Sequence, residues 1–113
     1  VRFDVVEIGP SANKVILLGR LDSGTVGSVE TAFTAAVAAS GRSAVLDLTG
    51  LEFLSSLGIR LLLSSARVVV RRGGVLVMFG AQPIVAEVLT AMALDELLPL
   101  VGSEAEALAR LPA

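Results

Sequence analysis

Ser55 and Ser56, with Gly58 just after them, stand between a strand-like run, Ala44-Val45-Leu46-Asp47-Leu48, and an apolar helix-like run from Leu61 to Val70. Two chemistries suit a hydroxyl at such a junction. A serine at a helix start caps the free N–H groups of the first turn. A phosphate on that serine is favoured by the same N–H groups and by the helix dipole. At 100° per residue, with Ser56 at the helix start, Ser56, Arg60, Ser64, Arg67 and Arg71 fall within about 80° of one another. The rest of the helix is nearly all apolar or small, so it carries one polar stripe with Ser56 at its head. The stripe is either the solvated face of a half-buried helix or a partner-docking surface led by a regulated serine. A phosphate on Ser56 adds about −1.5 to −2 charges beside it. That charge either pairs with Arg60, or repels an acidic partner or blocks an apolar contact.

Other candidates surround this junction. Gly58 is a small residue where the helix start packs on the sheet, or one that lets a partner approach the serines. Asp22 is placed to cap a helix and is a candidate to line the serine site. Asp47 ends the central apolar run, and ligands gather at strand carboxyl ends in open α/β sheets. It is expected either near Asp22 and Ser56 or as a hydrogen-bonding turn residue. A serine nucleophile needs a base. Without histidine the choice narrows to Lys14 or a carboxylate, so the chain is expected not to be an enzyme. Gly73-Gly74 lacks the spacing of a phosphate-binding glycine loop. No carboxylate pair stands out for metal chemistry, and no cofactor is expected.

Composition narrows the classes further. The chain has 113 residues, 54% of them hydrophobic and 18% charged, enough for a single domain (1–113) with one core. It begins at Val1, which leaves it open as a piece of a longer protein. There is no Cys and no His. That removes disulfides, thiolate chemistry and the usual zinc sets. Four Phe as the only aromatics, a single Lys and a net charge of −2 argue against nucleic acid as a partner. Mean hydropathy is +0.83, but Arg60, Arg67, Arg71, Arg72, Glu87 and Asp95 interrupt every candidate membrane span. With no secretory signal pattern, the expectation is a soluble cytoplasmic domain.

The elements that must position the serines follow from patterning. Arg2–Ile8 and Lys14–Leu18 read as a hairpin around the turn signal at 9–13. Gly19 to Ser23 is expected to leave the sheet, with Asp22 or Ser23 capping a helix from about Thr25 to Ala39. A buried strand at 44–48 leads to the serine helix, which ends at Arg72 before Gly73-Gly74. A strand at 75–79, a helix from Pro83 to about Met92, a strand at 97–101 and a helix at 104–111 complete the chain. The order β-β-α-β-α-β-α-β-α predicts an α/β fold. Its sheet is mixed, led by the hairpin, with about four helices packed largely on one face.

These residues resemble the STAS family, the domain of bacterial anti-sigma factor antagonists, over about residues 3–110. Gly19-Arg20-Leu21-Asp22 looks like the family's Gly-x-Leu-Asp after the second strand. Val45 to Leu54 looks like its central strand and following turn. Ser55-Ser56-Leu57-Gly58-Ile59-Arg60 looks like its signature, usually Asp-Ser-(Ser/Thr/Ala)-Gly-Leu-(Gly/Arg). The resemblance makes Ser56 the phosphorylatable serine, with Ser55 the alternative. It departs at Ser55, where the family carries Asp, and at Leu57, where it often carries Ser or Thr.

What the resemblance implies is a partner switch. The unphosphorylated antagonist binds an anti-sigma factor, often a serine kinase, and so frees a sigma factor for transcription. Phosphorylation by that kinase breaks the complex, and a phosphatase resets it. The expected docking residues are Asp22, Ser55, Ser56, Leu57, Gly58, Arg60, Ser64 and Arg67. The chain itself is expected to be a monomer or weak homodimer. A second reading is a STAS domain docked constitutively on a membrane transporter complex for anions or lipids. A third is a nucleotide-binding or enzymatic domain.

Overall fold

The computed structural model describes residues 2–9, 12–22, 24–39, 43–92 and 98–111. The N-terminal hairpin forms as the patterning predicts, from β1 (Arg2–Gly9) and β2 (Ala12–Leu21) paired antiparallel. Next come α1 (Val26–Ala39), β3 (Ser43–Leu54), α2 (Ser56–Arg71) and β4 (Leu76–Phe79). The chain then forms α3 (Pro83–Ala91), β5 (Leu100–Val101) and α4 (Glu104–Ala109). The sheet runs β1-β2-β3-β4-β5, and every pairing after the hairpin is parallel. The predicted mixed α/β architecture and element order are both present.

Side-chain alternation divides the core. Val15, Leu17, Ala44, Leu46, Leu76 and Met78 face one side of the sheet. There they pack with Phe33 and Val37 of α1, Leu62, Ala66 and Val69 of α2, and Val85 and Leu89 of α3. Val45, Val77 and Phe79 face the other side, where Ala107 of α4 covers them. Strand period 2 crossed with helix period 3.6 produces this split. Three helices therefore share one face. The fourth is held on the back by Lys14 of β2, whose Nζ donates to Glu104 at 3.0 Å.

The ends of β2 and β3 both run past the sequence reading, and one cause explains both. β2 continues through Leu21 instead of leaving the sheet at Gly19, and β3 continues from Leu48 to Leu54. The two strands pair along this whole length, out to Leu21 opposite Leu54. Their register shifts between Ile16 and Leu18 and again between Gly19 and Arg20. Such bulges absorb extra residues without ending a ladder. β4 pairs only with residues 44–47, so beyond Asp47 one edge of β3 is open. Thr49 and Glu52 are exposed there, which gave this part of the strand the look of a turn. At the far end, β5 is confined to Leu100–Val101, and Leu97, expected in it, lies outside the described residues, as does Ser23.

α2 is closed as its glycines suggest. Gly73 N–H donates to the Val70 carbonyl and Gly74 N–H to the Val69 carbonyl. One feature of this helix is costly. Ser65 is fully buried, and its hydroxyl has no hydrogen-bond partner among the described residues. Burying an unpaired hydroxyl costs free energy that a methyl group does not. Ser65→Ala is therefore expected to hold or raise stability, by up to about 1 kcal/mol in urea denaturation. A loss of that size would mean that the hydroxyl is paired in solution.

Candidate functional site

The end of β2 and the start of α2 are bonded to each other. Ser55 N–H donates to the Leu21 carbonyl at 2.9 Å. Three residues later α2 comes close to the same carbonyl. A Cβ on Gly58 would lie 2.8 Å from Leu21 O and 2.8 Å from Leu54 Cδ1. Gly58 is buried, so its small size is used up inside the protein and not offered to a partner. Glycine at this position is thus a packing requirement.

The two serines have different surroundings. Ser55 is the N-cap of α2, with extended backbone (φ −90°, ψ 173°) and its hydroxyl accepting from Gly58 N–H at 3.2 Å. It is half-buried. Ser56 is the first residue of the helix and is exposed, and its hydroxyl has no partner among the described residues. First-turn N–H groups have no acceptor within their own helix. Ser55 satisfies that of Gly58, while those of Ser56 and Leu57 point out of the helix end. A group esterified to Ser56 would meet them and the positive end of the dipole.

Asp22 follows directly on Leu21. Its carbonyl accepts from Thr25 and Val26 N–H and opens α1. Its carboxylate accepts from Gly24 N–H at 3.0 Å and from the Thr25 hydroxyl at 3.2 Å, with Arg20 Nε at 3.7 Å. Partial burial acts to raise this carboxyl. The Gly24 and Thr25 hydrogen bonds and the Arg20 charge outweigh it and hold the carboxyl below its ordinary 3.8. Arg20 also stacks over the Phe53 ring, 4.4 Å from its centre. The carboxylate thus closes a turn ahead of α1 and does not cap a helix N–H, where the sequence reading expected a cap. Only the Asp22 carbonyl reaches the helix, and Leu21 links Asp22 to the serine junction.

Asp47 is elsewhere. It lies eight residues before Ser55 on the same extended strand, on the order of 20–25 Å away. Its carboxylate accepts from Thr49 N–H at 3.0 Å and from the Thr49 hydroxyl at 2.6 Å. Thr49 O in turn accepts from Gln82 Nε2 at 2.9 Å, which ties the β4–α3 turn to β3. Of its two expected roles, Asp47 fills the hydrogen-bonding one. Lys14, considered as a base for a serine, is engaged with Glu104 and not with Ser56.

The polar stripe of α2 is exposed throughout, at Ser56, Arg60, Ser64, Arg67 and Arg71. It is not merely a convex face. Leu57, Arg60, Ser64 and Arg67 form one wall of an open groove of about 580 Å³. The facing wall is Val26, Gly27 and Glu30 of α1. Sequence reasoning named the α2 residues and missed the α1 wall. No periodic signal in α1 shows which of its faces meets α2. Arg20 and Phe53 were likewise missed, because only the β2–β3 register brings them opposite each other.

Two outcomes follow. Gly58→Ala is expected to cost about 1–3 kcal/mol, read by urea denaturation, because backbone is the atom in the way. For Asp22 the sign is set by its lowered carboxyl, which makes the ionised form the stabilising one. Its contribution is full above the unfolded value and is lost as pH falls through the folded one. Between about pH 5 and pH 3 the wild type should lose more stability than Asp22→Asn. Parallel loss in both proteins would contradict this account.

The sequence model of the STAS domain matches residues 6–107. No curated protein sequence matches the chain. Among solved structures, the chain is similar to an anti-sigma-factor antagonist (STAS) domain protein from Planctomyces limnophilus. Identity is 27% and TM-score 0.82, covering 95% of this chain and 94% of that one. It is also similar to an anti-sigma factor antagonist from Mycobacterium paratuberculosis, at 25% identity and TM-score 0.82, covering 97% and 94%. The phosphorylated form of SpoIIAA, a Bacillus cell fate determinant, shares the fold at 20% identity and TM-score 0.72, covering 96% and 98%.

Proposed function

The chain belongs to the STAS domain family, and from that premise we propose that it is an anti-sigma factor antagonist switched by phosphorylation of Ser56. In this reading the 113 residues act as one cytoplasmic STAS domain of a bacterial cell. The unmodified protein binds an anti-sigma factor that is also a serine kinase, and a sigma factor is freed for transcription. Phosphorylation separates the two, and a phosphatase restores binding. Among the described residues, no helix is long and apolar enough to cross a membrane. The anti-sigma factor antagonists from P. limnophilus and M. paratuberculosis share the fold over nearly their whole length.

The observation that carries the proposal is the division of labour between the serines. Ser55 is occupied as the cap, while Ser56 offers an exposed hydroxyl at the head of the arginine stripe. The family's Asp at the capping position has a plain counterpart here, because Asp and Ser are both strong N-caps. The substitution keeps the cap and drops its charge. A phosphate on Ser56 sits one helical turn before Arg60, within reach of an i, i+4 pair. It thereby places a dianion on the docking surface and engages the nearest cation of that surface. Leaving such a charge unmatched in a complex costs several kcal/mol, and about 1.4 kcal/mol is already tenfold in affinity.

Incubation with the cognate kinase, read by mass spectrometry, should place one phosphate on Ser56. Ser56→Ala should abolish it. Ser55→Ala should still accept it, while losing about 1 kcal/mol of stability with the cap. Ser56→Asp should weaken anti-sigma binding at least about tenfold. Phosphate on Ser55, or equal binding by wild type and Ser56→Asp, would refute the assignment. Capture of a membrane transporter subunit with no anti-sigma kinase would favour the constitutive docking role instead.

A further inference from the structure

We propose that the groove between α1 and α2 receives an acidic amphipathic segment of the partner protein. This deepens the partner-binding reading above and rests on it. The first support is charge. The protein carries a net charge of −2, yet α2 holds Arg60, Arg67 and Arg71 and no acidic residue. None of these three has a carboxylate within 4.0 Å among the described residues, whereas Arg2, Lys14 and Arg20 do. Within the groove, two guanidinium groups, Arg60 and Arg67, face one carboxylate, Glu30. The lining is therefore positive on a protein that is negative overall. Exposed charges act over about 8 Å at physiological salt, so an occupant of this groove feels that local excess more than the net charge.

The second support is shape and apolar surface. Leu57 is 39% exposed at the mouth of the groove, with Leu61 and Leu63 behind it. A ligand with alternating apolar and acidic faces satisfies leucines and arginines together, as an amphipathic helix does when laid in a groove. The third support is Gly27. Glycine weakens a helix relative to almost any other residue. At Gly58 a backbone carbonyl 2.8 Å from any added Cβ explains the choice, but at Gly27 nothing lies within 4 Å. Packing within the chain gives no reason for glycine there. Its missing side chain keeps the α1 wall low where an occupant would lie.

The same arrangement links the groove to Ser56. Arg60 is the nearest groove cation to that serine, so a phosphate and an acidic partner compete for one guanidinium.

The test is an amide-shift titration of the ¹⁵N-labelled full chain with two synthetic peptides. Each has about 16 residues, roughly four helical turns, with leucines at the same helical spacing. One carries glutamates elsewhere and the other lysines. The glutamate peptide should shift Gly27, Glu30, Leu57, Arg60 and Ser64 and bind at least tenfold more tightly than the lysine peptide. The double variant Arg60→Glu/Arg67→Glu should reverse that preference. Gly27→Gln should weaken the glutamate peptide tenfold or more without lowering the melting temperature.

Equal binding of the two peptides, or no shift at the groove residues, would overturn the proposal. So would the same shifts on concentrating the protein alone, which would make a second copy the occupant. The Ser56 assay is independent of these readouts. Loss of the groove result with Ser56 phosphorylation and partner release intact removes the groove assignment alone. A failed Ser56 switch with the glutamate preference retained leaves the groove in place and removes the phosphoswitch.

Discussion

The hydrogen bond from Ser55 N–H to the Leu21 carbonyl is the constraint on which the rest of the site depends. It joins the last residue of β2 to the cap of α2 across a parallel strand pair. Gly58 then allows the first turn of α2 to close on the same carbonyl. Once those backbones are in contact, the rest follows from helical geometry. Ser55 turns inward to cap, Ser56 turns outward, and Arg60 stands one turn above it. Leu21 also continues into Asp22, whose carbonyl starts α1. A single peptide carbonyl thus sets the origin of one groove wall and lies next to the origin of the other.

That arrangement explains the distribution of polar groups over the molecule. The three-helix face carries the junction and the groove. The back of the sheet carries α4, with Lys14 and Glu104 bonded to each other. On the back Lys14 is paired with Glu104, whereas Arg60, Arg67 and Arg71 of α2 have no carboxylate within 4.0 Å among the described residues. Interaction between exposed charges is worth little by itself. Its value at a docking surface lies in steering and in the choice of partner.

Most of the architecture was legible in the sequence because apolar period and turn residues change together at each boundary. The two strands that run past the sequence reading, β2 and β3, are paired with register shifts. A bulge places polar or small residues such as Thr49 and Gly50 inside a strand, and locally they cannot be told from a turn. The serine junction was legible for the opposite reason: capping is local, and its residues are contiguous. The α1 wall, the Arg20–Phe53 stack and the crowding of Gly58 by Leu21 were not. Each joins residues distant in sequence through the β2–β3 register or the α1–α2 crossing. Family resemblance suggested a role for Ser56, while the structure showed the Ser55 hydroxyl engaged as the cap.

The neutral cap bears on how sharply such a switch discriminates. With an aspartate at the capping position, the resting junction already carries one negative charge, and phosphorylation multiplies a field that is present beforehand. With Ser55 the cap itself carries none, and the Asp22 carboxylate follows Leu21 in sequence. Under the proposed phosphorylation the surface set by Arg60 and its neighbours would then change from net positive to negative at its centre. A reversal of sign gives a partner more contrast between the two states than a change of magnitude does, so the same modification works against a lower background.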